Sequence, residues 1–176
     1  MSGYNFTNGT RMALHAAREA AEGLGHHHVG TEHLLLGVLD DPANAASTLV
    51  KRSGADADVI RATIAGIVTP GSVVDTSLPH PSRAREVVRS ALTKVGRLGC
   101  VTTSADTPAP YTSRARKALE CAMLEARDHD QSPVGTQYLL VGLLQEAKGV
   151  GGQVLMHCGV TLAEVAPLID QVADLP

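Results

Sequence analysis

Apolar residues recur at spacings of three and four along the first stretch of the chain, as Met12, Ala13, Ala16, Ala17, Ala20 and Leu24. That stripe predicts an amphipathic helix packed by one face. Thr7 stands before it as an N-cap, and Gly25 after it as a stop. Gly30-Thr31 then opens a short, nearly all-apolar helix through Leu39, with Thr31 read as its N-cap. A helix apolar on every side belongs at the centre of a bundle. Asp41-Pro42 predicts the start of a third helix, proline being pre-set for a first helical turn, and Gly54 its end. Asp56 caps a fourth helix running to about Val68.

The same pattern returns further on. The block from Val29 to Leu39 (Val-Gly-Thr-Glu-His-Leu-Leu-Leu-Gly-Val-Leu) reappears from Val134 to Leu144 as Val-Gly-Thr-Gln-Tyr-Leu-Leu-Val-Gly-Leu-Leu, an offset of 134 − 29 = 105. The same ungapped offset carries Phe6-Thr7 onto Tyr111-Thr112 and Arg11-Met12-Ala13-Leu14 onto Arg116-Lys117-Ala118-Leu119. An ungapped match of this length is a duplication. The second copy therefore predicts helices over 112–129, 136–147, 150–158 and 161–174, the last opened by a Thr161–Glu164 capping box. Between the copies, 69–110 reads as linker from its Pro, Thr and Ser content. It encloses one amphipathic helix, about 82–98, with Arg83, Arg85, Arg89, Lys94 and Arg97 on its basic face. The expected fold class is all-α: two pseudo-repeated four-helix units, 1–68 and 111–176, packed as one domain, with an extra helix in the linker.

Composition fits this picture. Hydrophobic residues make up 44% of the 176 residues but aromatics only 2%, so the core must be built from Ala, Leu, Val and Ile. Those residues suit close-packed helices, Ala and Leu having the best helix propensities. A net charge of −3 leaves no electrostatic footprint for nucleic acid. No apolar run reaches the length of a bilayer span, and Met1–Arg11 lacks the order of a signal peptide. A cytoplasmic protein with no membrane partner is expected. Cys100, Cys121 and Cys158 are odd in number and lack CxxC spacing, so free thiols are the simplest reading, with Cys121 and Cys158 as small hydrophobes in helices.

A pair of helical repeats, each with Phe/Tyr-Thr near its start and a Val-Gly-Thr-Glu-His-Leu-Leu-Leu-Gly-like block, resembles the Clp N-terminal (Clp repeat) family. The segment from Leu24 to Gly37 is especially similar to the ClpC branch. In that family the domain heads a ring-shaped AAA+ unfoldase that feeds a ClpP-type protease. It binds adaptors, substrates and, in the ClpC branch, proteins marked by phosphorylated arginine. This sequence contains no GxxxxGK[ST] phosphate loop, so it lacks the family's route to ATP hydrolysis. The resemblance leaves a stand-alone paralogue or a fragment of an unfoldase, and the long 105-residue offset favours the former.

The resemblance implies site residues. Glu32 holds the position of the glutamate that reads phosphoarginine, and a carboxylate can accept two parallel N–H bonds from an arginine fork. A structural role at a helix N-terminus is equally open to it. The matching residue in the second copy, Gln137, is neutral. Thr7 matches the family threonine next to the site, while Asn5 stands where arginine is common. Arg11, Leu14, Tyr111, Arg116, Glu120 and Met123 fall where family members bind macrocyclic peptide antibiotics, although Tyr111 and Phe6 also read as repeat-start residues packed on their own bundles.

Catalytic chemistry is not visible. No nucleophile–base–orienter set and no GxSxG occur. His26, His27, His28 and His33 do not read as a metal site, since adjacent side chains diverge and zinc prefers spaced, oriented ligands. No cofactor is expected. The expected function is recognition without catalysis, of adaptors, marked substrates or cyclic peptides in the Clp proteolytic pathway, as adaptor, competitor or sink. The alternative is a regulatory subunit that docks a partner through the basic linker helix.

Overall fold

Side-chain caps and glycine stops cut the chain into short helices. The computed structural model describes residues 5–68 and 110–172. The first repeat comprises α1 (Asn8–Gly23), α2 (Thr31–Asp40), α3 (Ala45–Arg52) and α4 (Ala57–Val68). The second comprises α5 (Ser113–Asp128), α6 (Thr136–Glu146), α7 (Val150–His157) and α8 (Leu162–Val165), with a closing 3-10 helix over Ala166–Gln171. No strand occurs among the described residues, and the all-α double repeat predicted from the sequence is what forms. The predicted linker helix over 82–98, its basic face and Cys100 lie outside the described residues.

Thr7 caps α1 by accepting the Thr10 N–H at 3.1 Å, and Thr112 caps α5 by accepting the Ala115 N–H at 3.2 Å. Past α1, Gly25 turns the chain at φ +72°, a left-handed conformation that glycine adopts without penalty. The buried face of α1 is Thr10, Ala13, Ala17 and Ala21, and that of α5 is Ala115, Ala118, Ala122 and Ala126. Small residues are needed there because the second helix of each repeat crosses very close. A Cβ on Gly37 would overlap the Ala13 carbonyl oxygen, and one on Gly142 the Ala118 carbonyl oxygen. Met12, placed in the stripe by its spacing, is 64% exposed instead. The helix pair closes on the alanine face, which excludes so long a side chain.

α2 and α6 form the centre. Leu34, Leu35, Val38 and Leu39 are buried in the first repeat, and Leu139, Leu140, Val141, Leu143 and Leu144 in the second. Each such side chain contributes about 1.5–3 kcal/mol on leaving water.

Three boundaries differ from expectation. Gly30, not Thr31, is the N-cap of α2; the Thr31 hydroxyl accepts the Gly151 N–H of the second repeat at 3.2 Å. The third helix begins at Ala45 rather than at Pro42. Asp41 accepts the Ala43 N–H at 2.8 Å in a local turn, and Asn44 caps α3 by accepting the Ser47 N–H at 2.8 Å. The predicted 161–174 helix is α-helical only to Val165, despite the Thr161–Glu164 capping box. Pro167 has no N–H for the α-helical ladder, so the chain tightens to a 3-10 helix.

Candidate functional site

The two repeats are joined by an exchange of backbone at their motifs. The Thr7 N–H donates to the Val134 carbonyl at 3.0 Å, and the Val134 N–H to the Asn5 carbonyl at 2.7 Å. At the other seam the Thr112 N–H donates to the Val29 carbonyl, and the Val29 N–H to the Pro110 carbonyl, both at 3.0 Å. The hydroxyls follow the same pseudo-twofold rule: Thr31 accepts from Gly151, and Thr136 accepts from Ala46, each at 3.2 Å. Each repeat thus lays its first residues against the Val-Gly-Thr motif of the other.

This exchange re-sorts the candidate residues. Thr7 lies at the seam of Val134 and Gln137, and its hydroxyl serves Thr10. It does not stand beside Glu32. The α1–α2 pair is antiparallel, and α1, about 24 Å long, separates Thr7 at its start from the loop that leads to Glu32. The threonine at the seam of Glu32 is Thr112, from the second repeat. Asn5 is exposed and also lies at the Gln137 seam.

At the Val29 seam, the sequence places Gly30 before Glu32 so that the carboxylate can fold back over the N-cap; a Cβ on Gly30 would overlap Glu32 Oε1. Glu32 keeps 18% of its side chain exposed. Its Oε1 lies 3.3 Å from Nδ1 of the buried His33, and no lysine or arginine lies against it among the described residues. Gln137 adopts the same pose over Gly135 but is buried, and its Oε1 has no hydrogen-bond partner among the described residues. The charged member of the pair is therefore also the accessible one.

Next to Glu32, the ring of His33 takes the place of a capping-box side chain. Its Nδ1 accepts the Gly30 N–H at 2.9 Å, so the ring proton sits on Nε2 and is donated to His26 Nδ1, also at 2.9 Å. Burial pushes the His33 pKa below the ordinary histidine range; the Glu32 carboxylate acts against that shift and His26 adds to it. The ligand-type atoms of His26, Glu32 and His33 lie within 4.8 Å of one another, a spacing that would suit a metal ion. Both nitrogens of His33 are already engaged, so an ion would have to break the Gly30 cap or the His26 bond. Glu32 was not read with the histidines in the sequence, because it is the turn between the two helices that folds His26 back onto the Glu32–His33 pair.

Tyr111 borders the same seam. The Arg18 guanidinium of α1 lies 5.4 Å from its ring centroid, a cation–π distance. Arg18 Nε and Tyr111 Oη are buried without hydrogen-bond partners among the described residues. Arg18 was not predicted. Its signal was that the second copy has Met123 at the matching position.

The other predicted residues lie along α1 and α5. Arg11, Arg116 and Glu120 are exposed, while Leu14 and Met123 are half-buried against the core. The two helices do not pack on one another; each meets the other repeat's second helix. Cys121 and Cys158 are half-buried free thiols, with burial pushing the Cys158 thiol up. No single described helix is long and apolar enough to cross a membrane.

Comparison with known proteins agrees with this architecture. The family model described as the Clp repeat (R) N-terminal domain matches residues 5–104 and 110–174. The chain is 29% identical over 157 residues to the negative regulator of genetic competence ClpC/MecB of Bacillus subtilis, covering 89% of this chain and 16% of that protein. It is 31% identical over 161 residues to an ATP-dependent Clp protease ATP-binding subunit ClpA homolog of Cyanidium caldarium, covering 91% of this chain and 15% of that protein. The chain thus spans about a sixth of the length of such relatives. Among solved structures, the N-terminal domain of the chaperone ClpD from Arabidopsis thaliana superposes with a TM-score of 0.61 at 21% identity, covering 95% of this chain and 96% of that one. That likeness carries the fold.

Proposed function

The chain belongs to the Clp repeat N-terminal domain family, and from that premise we propose that it is a non-catalytic recognition module for proteins and peptides of the Clp system, reading an arginine-type mark at Glu32. The observation that carries the reading is the Glu32 carboxylate: accessible, fixed over Gly30 and paired with no lysine or arginine among the described residues. A guanidinium would supply the missing cation through two parallel N–H···O bonds. Arg18, lying over Tyr111 at the same seam, supplies the cation for the phosphate of phosphoarginine, and Thr112 borders it in the part assigned by sequence to Thr7. Gln137 is buried and neutral, so the second repeat reads no such mark. The outward faces of α1 and α5, with Arg11, Leu14, Arg116, Glu120 and Met123, suit longer peptides, macrocyclic ones included, because exposed charge there flanks half-buried apolar side chains.

The test is retention of a phosphoarginine-bearing protein on the immobilised chain, beside the same protein after its phosphate is removed. The wild-type chain should retain the marked form at least about tenfold better, the scale of a charge-assisted hydrogen bond. Glu32→Ala should lose that preference and Gln137→Ala should keep it. Equal retention of both forms, or full preference in Glu32→Ala, would contradict the reading.

A further inference from the structure

The ring beside Glu32 is wired so that it cannot take up a proton without rearranging the site. In its neutral form His33 accepts the Gly30 N–H at Nδ1 and donates from Nε2 to His26, each at 2.9 Å. An added proton has two places to go. On His33 Nδ1 it meets the Gly30 N–H head-on. On His26 Nδ1 it meets the His33 Nε2–H, unless that proton moves round to Nδ1 and meets Gly30 again. Every protonated state of the pair therefore breaks one hydrogen bond. The state on Nδ1 offers one compensation: the charged ring then lies with Nδ1 3.3 Å from Glu32 Oε1, close enough for an ion pair once the Gly30 bond is given up.

We propose that His33 is a proton gate on the Glu32 site, the imidazolium claiming the carboxylate on mild acidification and so displacing a guanidinium ligand. This rests on the reading of Glu32 given above and adds its regulation. The charges that act on His33 are those of Glu32 and His26. From the elements packed on α2, α1 brings Arg18, which lies over the Tyr111 ring. The second repeat brings the Arg114–Glu146 pair, 3.2 Å apart, with Glu146 near Thr31 through Gly149. His27 and His28 stand exposed in the loop.

The sign follows from the lowered proton affinity of the folded ring. At neutral pH the ring is uncharged, the Gly30 cap is made and Glu32 is free. The unfolded chain takes its proton near about pH 6.5. The stabilisation from the neutral ring is therefore complete above that value and is lost as pH falls towards the lower folded pKa. Ligand binding moves the same way, because the proton and the guanidinium compete for one carboxylate.

The second repeat lacks the device, with Gln131 and Tyr138 at the matching positions. His33→Gln removes it from the first: a glutamine can accept the Gly30 N–H and donate to His26 without titrating. Phosphoarginine binding is to be measured from about pH 7.5 to about pH 5 for the wild-type and His33→Gln chains. The ligand's own phosphate titrates identically against both, so the gate is the difference between the two profiles. Wild-type affinity should fall at least about threefold further than that of His33→Gln. As a check that needs no variant, the ring protons of His33 in the wild-type chain, followed by NMR, should titrate at lower pH when phosphoarginine saturates the site. Parallel profiles, or a His33 titration that the ligand does not move, would overturn the gate and leave the reading of Glu32 standing. Absence of binding to either chain at every pH would remove that reading, and the gate with it.

Discussion

Replacing Gly37 by leucine should lower the stability of the chain by about 3 kcal/mol or more, and shift its melting temperature down by about 6–12 °C. The α1–α2 crossing has no room at this position, where even one Cβ would meet the Ala13 carbonyl oxygen, the Ala17 nitrogen and the Ala17 methyl. Two of those three contacts are backbone, so relief requires the helices to separate. Separation would strip contacts from the alanine face of α1, whose side chains are too short to follow. Gly142→Leu should cost a similar amount, because its contacts with Ala118 and Ala122 are near copies of those in the first repeat. Thermal unfolding followed by circular dichroism checks both. A melting temperature unchanged in either variant would contradict the close crossing.

Thr31→Val combined with Thr136→Val should cost about 2–6 kcal/mol, with the two single changes contributing comparable shares. Each hydroxyl receives a backbone N–H from the opposite repeat, at Gly151 and at Ala46. Both threonines are buried. Valine preserves the shape but strands a buried N–H, at about 1–3 kcal/mol each. Denaturant unfolding should show a lower midpoint with a single transition, as expected if the repeats fold as one body. A single change without effect would show that its N–H is met by another acceptor.

The helices were legible because each is announced by local chemistry. The Thr7 cap, the Gly25 and Gly54 stops and the apolar run from Leu34 to Leu39 act within a few residues of themselves. α3 was placed early because Pro42 imitates a first turn, whereas the cap belongs to Asn44, whose side chain answers to Ser47 and to the Val38 carbonyl. Met12 fell in the right period, but the closeness of Gly37 narrowed the buried face to alanines.

The site was less legible, since its parts lie far apart in sequence. Thr7 belongs with Gln137, and Thr112 with Glu32, because the repeats exchange their first residues. A duplication shows that two motifs are equivalent and does not show which partner each will meet. The readable signal lies in the differences between the copies. His26 and His33 both change, to Gln131 and Tyr138, and Arg18 changes to Met123, while the helical framework around them keeps its pattern.

The most direct test of the central claim, recognition at Glu32, is calorimetric titration of the purified chain with free phosphoarginine at neutral pH, beside Glu32→Gln. The variant keeps the size and the pose over Gly30 that Gln137 already shows, and removes only the charge. The wild-type chain should bind saturably, and Glu32→Gln should not bind. A silent wild-type chain, or binding that survives the loss of the carboxylate's charge, would contradict that claim.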